Sequence, residues 1–522
     1  MDNLDSQLRR KNAGGPGSTW RHWLAGLCLI VAGSRILAGP AVPFDTAPET
    51  AAPNVEPRPA HLAPDYVGVV IPPNLAPLNL TIQEPGNEYH LRVSAPQGQA
   101  LDIRQAGPQV RFPIHEWKAL LGANRGNPLR WEIAVRTAAG AWTSYTPFET
   151  PVADEAIDPY VTYRRLKPLY STYKHLGIYQ RHLETFDEQP ILRNDAIAGG
   201  CVNCHTPHQG SPDRFAISFR GRFGTPTLLI ESNHITRIDA KLGYLAWHPN
   251  GKMLAFGDNK ITQFFHIAGP NNRDVFDAHS DLGVLHLEDQ TIEKPPAIAR
   301  PDHNENWPSW APDGRHLYFC SSPTVAFEDV AGFRYDLLRI PYDPDRNQWG
   351  EPEVLLSAAE HHLSFHQPRV SPDGRFLVLT VSEFGSFPLF RSDSDLWLLR
   401  LDTRELKPLP MLNSPHAETW HSWSSNGRWL LFGSRRVDGV FARLFITHVD
   451  PEGQFSKPVL LPQEDPEYYG TCLDNFNAPE LARGPVRISE EELAKAVDDA
   501  PEKTAAASAA GSDPYRSSLN LE

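Results

Sequence analysis

Methionine is nearly absent from this chain of 522 residues: there are three, and Met253 and Met411 are the only ones beyond the first position. A thioether ligand to a metal is therefore restricted to two places, and Met253 lies in an apolar run that reads as strand core. Basic charge is also short, with 49 Lys and Arg against 63 Asp and Glu and a net charge of −14. An acidic chain lacks the basic face that grips nucleic acid, which excludes that partner class. No apolar run reaches the length of about 20 residues that spans a bilayer as a helix. A nucleophile elbow, a phosphate-cradling glycine loop and an HExxH motif are all missing, so no catalytic constellation declares itself. Cysteine is scarce too, at five residues. Cys320 and Cys472 can pair in an exported protein or stand as two buried thiols, and no spacing rule decides between them. Cys28 lies inside an apolar run.

The remaining two cysteines stand together in Cys201-Val202-Asn203-Cys204-His205. Two thiols three positions apart, with an imidazole beside the second, is the spacing that attaches a c-type haem. Each thiol adds across one vinyl group of the porphyrin, and the adjacent His takes one axial position on the iron. Zinc would need further paired ligands, and His208 alone does not supply them. A redox dithiol would need a βαβ context that the flanks do not give. The expected cofactor is covalent haem c, held by Cys201 and Cys204 with His205 as proximal ligand. For the distal position His248, His266 and His421 are the candidates, because they lie in or near the repeated blocks described below.

The chain opens on Arg9, Arg10, Lys11 and Arg21, then an apolar run from Leu24 to Gly33 and small residues around Ala38. That order reads as a signal peptide over 1–39, an uncleaved N-terminal anchor being the alternative. Export to a periplasm agrees with haem attachment. Residues 40–64 are rich in Pro and Ala and read as a linker. Over 65–152, Leu78–Ile82, Tyr89–Val93 and Trp131–Thr137 alternate apolar and polar residues between turns, which predicts a small β-sandwich-like domain with a short helix over 114–121. In 153–212 aromatic residues recur at threes and fours (Tyr160, Tyr163, Tyr170, Tyr173), which predicts a short helical segment carrying the CxxCH motif.

From about residue 213 one pattern recurs four times, about 60 residues apart. Its turns are Asn250-Gly251, Asp313-Gly314, Asp373-Gly374 and Asn426-Gly427, each between two apolar strands. Glycine supplies the positive φ of such a turn. A further strand follows each hairpin, at 282–288, 337–342, 396–401 and 443–449. Four-strand repeats of this period are propeller blades. Asn477-Ala478-Pro479-Glu480-Leu481 matches the first strand of a block with nothing strand-like after it, whereas 215–220, 226–231 and 235–239 lack a first strand. The expectation is a mainly β chain with a five-bladed β-propeller over 213–484, closed by strands from both ends, six blades being the alternative count. Residues 485–522 read as a mostly disordered tail, with one capped helical piece over 489–497.

The Trp-x-Pro-Asp-Gly-x-x-Leu-x-Phe blocks resemble the TolB-type, WD40-like propeller repeats over about half the chain. With the CxxCH ahead of them, the arrangement is similar to a subset of that group bearing a haem motif. The resemblance implies a propeller that docks periplasmic protein partners through the propeller or the sandwich. The membrane enters only through the N-terminal anchor. Together with the haem motif it points to electron transfer or redox sensing within a periplasmic complex. A non-enzymatic interaction scaffold, with haem structural or absent, is the alternative.

Overall fold

The computed structural model describes residues 54–499 apart from 168–174, 198 and 267–272. The signal or anchor segment, Cys28, Tyr170 and Tyr173 lie outside the described residues. Strands dominate the remainder, and no helix among the described residues is long and apolar enough to cross a membrane.

The first part of the chain forms a six-stranded and a three-stranded sheet, with the helix Ile114–Ala123 between two of their strands in sequence. The alternation is direct: in Glu88–Ser94 the side chains of Tyr89, Leu91 and Val93 are buried and those between them half-buried, as a pleated strand with one core face requires. Trp117, Leu120 and Leu121 anchor the helix. This core does not end with the domain. It runs on into Trp429, Leu431, Leu444 and Ile446 further along the chain. Two polar contacts reinforce that joint: Trp429 Nε1 donates to the Glu155 carbonyl at 3.0 Å, and the Ser425 hydroxyl donates to Asp158 at 2.6 Å.

Six antiparallel sheets make up the rest. The first combines Tyr160–Leu166, Gly177–His182 and Glu188–Arg193 with the late strand Asn475–Ala482. The second is Cys201–Pro207, Arg214–Arg220, Thr227–Glu231 and His234–Ile238. The third, fourth, fifth and sixth begin at Gly243–Trp247, His303–Trp310, Ser364–Val370 and Glu418–Trp423. Each of these first strands packs on the first strand of the next sheet, and Asn475–Ala482 touches both Glu418–Trp423 and Cys201–Pro207. The strands expected after each hairpin are present, at Arg273–His286, Asp336–Asp343, Asp395–Arg400 and Arg443–His448.

Two expectations are corrected. The described parts of 153–212 are mostly strands, with two short 3-10 turns, rather than a helical segment: Tyr160, Tyr163 and Tyr179 sit in pleated strands, where aromatic residues pack well, and Val161 and Tyr163 are fully buried there. Tyr160 and Tyr163 stand an odd number of positions apart in one strand and so lie on opposite faces of the sheet. Secondly, the runs at 215–220, 226–231 and 235–239 do not complete the sheet of Asn475–Ala482. That strand pairs with Tyr160–Leu166, Val161 opposite Leu481, and the three runs form a sheet with Cys201–Pro207 instead. The haem-like motif is therefore itself the first strand of a sheet.

The capped piece at the end is the helix Glu490–Asp498, with a reciprocal Ser489–Glu492 capping box. Its Leu493 and Val497 are buried against the first and second sheets.

Candidate functional site

Every first strand carries a bulge. The ladder shifts between Gly243 and Ala246, Asn306 and Ser309, His366 and Arg369, Thr419 and Ser422. Tyr244, Trp307, Gln367, Trp420 and Ala478 there take positive φ, an expensive backbone for a bulky side chain. The bulge turns these side chains toward one another: the rings of Tyr244 and Trp307 lie 3.8 Å apart and those of Trp307 and Trp420 5.4 Å apart. In Cys201–Pro207 the shift falls between Val202 and His205. Asn203 and Cys204 are thus the bulged residues, inside the CxxCH motif.

The bulge places both thiols on one cavity of about 480 Å³, lined by Cys201, Asn203 and Cys204. That volume falls within the range of about 300–1,000 Å³ typical of small-molecule pockets. Tyr244, Phe387, Phe390 and Trp420 supply flat apolar walls. Arg164, Lys167, Arg220, Lys241, Arg273 and Arg435 also line it, and no carboxylate does among its described lining residues. In a chain of net charge −14, a wall with six cations and no anion is the opposite of the average surface.

The thiols are held in distinct ways. Arg164 donates to the Cys201 sulfur at 3.2 Å, and that thiol donates to Asn203 Oδ1 at 3.0 Å. The Tyr244 backbone N–H donates to the Cys204 sulfur at 3.4 Å. Burial pushes the Cys204 thiol up, against the pull of that N–H and of Arg164. Both are free thiols, as are Cys320 and Cys472.

His205 does not join them. It is absent from the cavity wall and borders instead a crevice of about 10 Å³ between the first two sheets, beside Thr162, Phe215 and Ile217. Burial lowers its pKa to about 4, with Arg164 and Arg369 adding to the effect. The Thr162 backbone lies close enough to oppose that shift, but neither ring nitrogen makes a hydrogen bond of ordinary geometry. The three distal candidates are elsewhere as well, none of them on the cavity wall. His248 is fixed by the Gly314 carbonyl at 2.9 Å and the Asn250 N–H at 3.1 Å. His266 pairs with Asp274 at 2.8 Å. His421 meets the Val378 carbonyl at 2.9 Å. Among the described residues no three His, Cys, Asp or Glu side chains cluster to hold a metal ion.

Tested against a c-type haem, the two thiols, the flat aromatic walls and the cations fit, the last because the porphyrin carries two carboxylates. His205 does not fit the axial position in this arrangement. The cations and rings of the wall were not legible from the sequence, since they come from loops and strands of several sheets. The bulge was, in part: Tyr244, Trp307 and Trp420 recur at one place in their blocks.

No protein-family description and no curated protein matches the chain. Among solved structures it is similar to TolB from Acinetobacter baumannii at 13% identity and TM-score 0.41, over 71% of this chain and 85% of that one. The β-propeller domain of the Trilobed protease from Pyrococcus furiosus is similar at 12% identity and TM-score 0.33, over 65% and 96%. An oligogalacturonate lyase in complex with manganese gives 12% and 0.32, over 71% and 99%. At such distances the likeness says nothing of what this chain binds.

Proposed function

We propose that the chain is a six-bladed β-propeller that carries a c-type haem at the mouth of its central channel and serves electron transfer within a complex of exported proteins. The observation behind this reading is that both thiols of the CxxCH motif line one aromatic, cation-rich cavity. Attachment needs no oxidant: each S–H adds across a vinyl group, sulfur to one carbon and hydrogen to the other. Cys201 and Cys204 would hold the group, and bound haem would supply one-electron exchange. The six sheets are the blades, with the chain's late strand completing the first. The remaining propeller rim and the N-terminal sheets would dock the partner.

Because His205 stands off the cavity, its service as proximal ligand requires Cys201–Pro207 to turn over within its ladder. Expression in a periplasm with haem-attachment machinery, followed by a denaturing gel stained for haem, tests attachment. The reduced spectrum of His205→Ala beside the parent then reads the ligand: a changed spin state assigns His205 to the iron, and an unchanged one removes it. The placement of His205 also favours a second reading, a propeller scaffold without haem. Its outcome is a folded protein that takes none.

A further inference from the structure

Arg435 is the one buried cation of the six on the cavity wall. It is 8% exposed, and its Nε has no hydrogen-bond partner. It makes no ion pair among the described residues; Asp438, the one acid whose field reaches it, is engaged by Arg443 at 3.4 Å. Burial lowers its pKa only to about 10, so it stays charged at neutral pH. Holding an unpaired buried cation is costly.

Its surroundings have the form of a clamp. Phe390 carries Arg435 at 5.1 Å from its ring centre and Arg273 at 3.8 Å. Arg273 is steadied by Gln263 Oε1 at 3.0 Å. Phe390 belongs to the short helix Pro388–Phe390 of the fifth sheet's connection, Arg273 opens a strand of the third, and Arg435 follows Trp429–Ser434 of the sixth. The thiols come from the second sheet, which the ring order sets opposite the fifth. Of the other cations, Lys167 pairs with Asp474 at 2.6 Å and Arg164 with the Cys201 sulfur, while Arg220 and Lys241 are more open to solvent than Arg435.

We infer that Arg435, with Arg273 on the same Phe390 ring, is a carboxylate-binding subsite in the cavity that the thiols line, made for the acid groups of a flat ligand. This deepens the haem reading, whose porphyrin has two carboxylates, but the observations on Arg435 hold without it.

The test uses the full chain with Cys201→Ala and Cys204→Ala, so that binding is non-covalent, and the metal-free protoporphyrin IX free acid and its dimethyl ester as fluorescent probes. The free acid should bind, and Arg435→Gln should weaken it roughly tenfold to a hundredfold, the worth of a charge-assisted hydrogen bond. The ester should not respond to Arg435→Gln. Arg435→Lys should restore part of the affinity, and its thermal midpoint controls for folding. Equal weakening of acid and ester, or an acid affinity indifferent to Arg435→Gln, overturns the subsite. Succinate serves as the small-anion arm: if it binds with Arg435 dependence while the porphyrin acid does not, the subsite stands for a free anion and the haem reading falls. If the porphyrin acid binds through Arg435 yet the parent chain takes no covalent haem, the subsite likewise stands and attachment fails.

Discussion

The Tyr335 hydroxyl donates to Asp277 Oδ2 at 3.0 Å, in the protein interior where Asp277 is 1% exposed. Asn306 donates to the same oxygen at 3.0 Å and Asn259 to the other at 3.3 Å. The carboxylate thus knots the third and fourth sheets. Burial raises its pKa to about 6, and the three donors moderate the shift. A folded-state pKa above the unfolded value of 3.8 means the native protein keeps a proton the unfolded chain has lost. The stability so conferred is full below pH 3.8, falls as pH rises toward 6 and is flat beyond. In Asp277→Asn this component is gone. Urea unfolding of parent and variant at pH 4, 5, 6 and 7 should show the parent's advantage shrinking by up to about 3 kcal/mol. Parallel profiles would refute the assignment.

Trp429 is fully buried and ties the sixth sheet to the N-terminal sheets through the Glu155 carbonyl. Trp429→Ala should cost about 3–5 kcal/mol, the range for emptying an aromatic site. Trp429→Phe keeps most of the packing and strands the Glu155 carbonyl. Its cost should exceed the loss of the removed atoms by about 1 kcal/mol. Chemical denaturation measures both, and a Trp429→Ala protein as stable as the parent would show that the two cores are not continuous.

Asn477 sits opposite Arg164 in the ladder between the last strand and the first sheet. A chain ending at Leu473 loses that strand and leaves Tyr160–Leu166 with an open edge, a template for pairing with other chains. It should aggregate in sedimentation, or unfold well below the parent. A soluble monomer with the parent's thermal midpoint would mean that the late strand does not hold the ring.

The hairpin blocks were legible because their turns carry Asn-Gly or Asp-Gly and the flanking residues alternate or run apolar. Gly251, Gly314, Gly374 and Gly427 all take positive φ, as those turns require. The sheet of Cys201–Pro207 escaped notice for a physical reason. Its turn ends in Gln209-Gly210, both at positive φ, without the Asp or Asn that marks the others, and it has Thr206 where the third, fourth and sixth sheets have Trp247, Trp310 and Trp423. The aromatic spacing around CxxCH predicts a helical segment, and pairing with Arg214–Arg220 makes the motif a bulged strand instead. The cavity's charge was illegible in the same sense: Arg164, Arg273 and Arg435 come from different sheets and meet only on the wall of one cavity.

Covalent haem is the direct measure of the central claim. The full chain, matured in a periplasm alongside a control cytochrome, should carry a haem-staining band after denaturation and a c-type reduced spectrum, and Cys201→Ala with Cys204→Ala should lose both while keeping the parent's circular dichroism. Absence of covalent haem from the parent, under conditions that mature the control, would contradict the account and leave the propeller as a scaffold with a cation-lined cavity suited to another ligand.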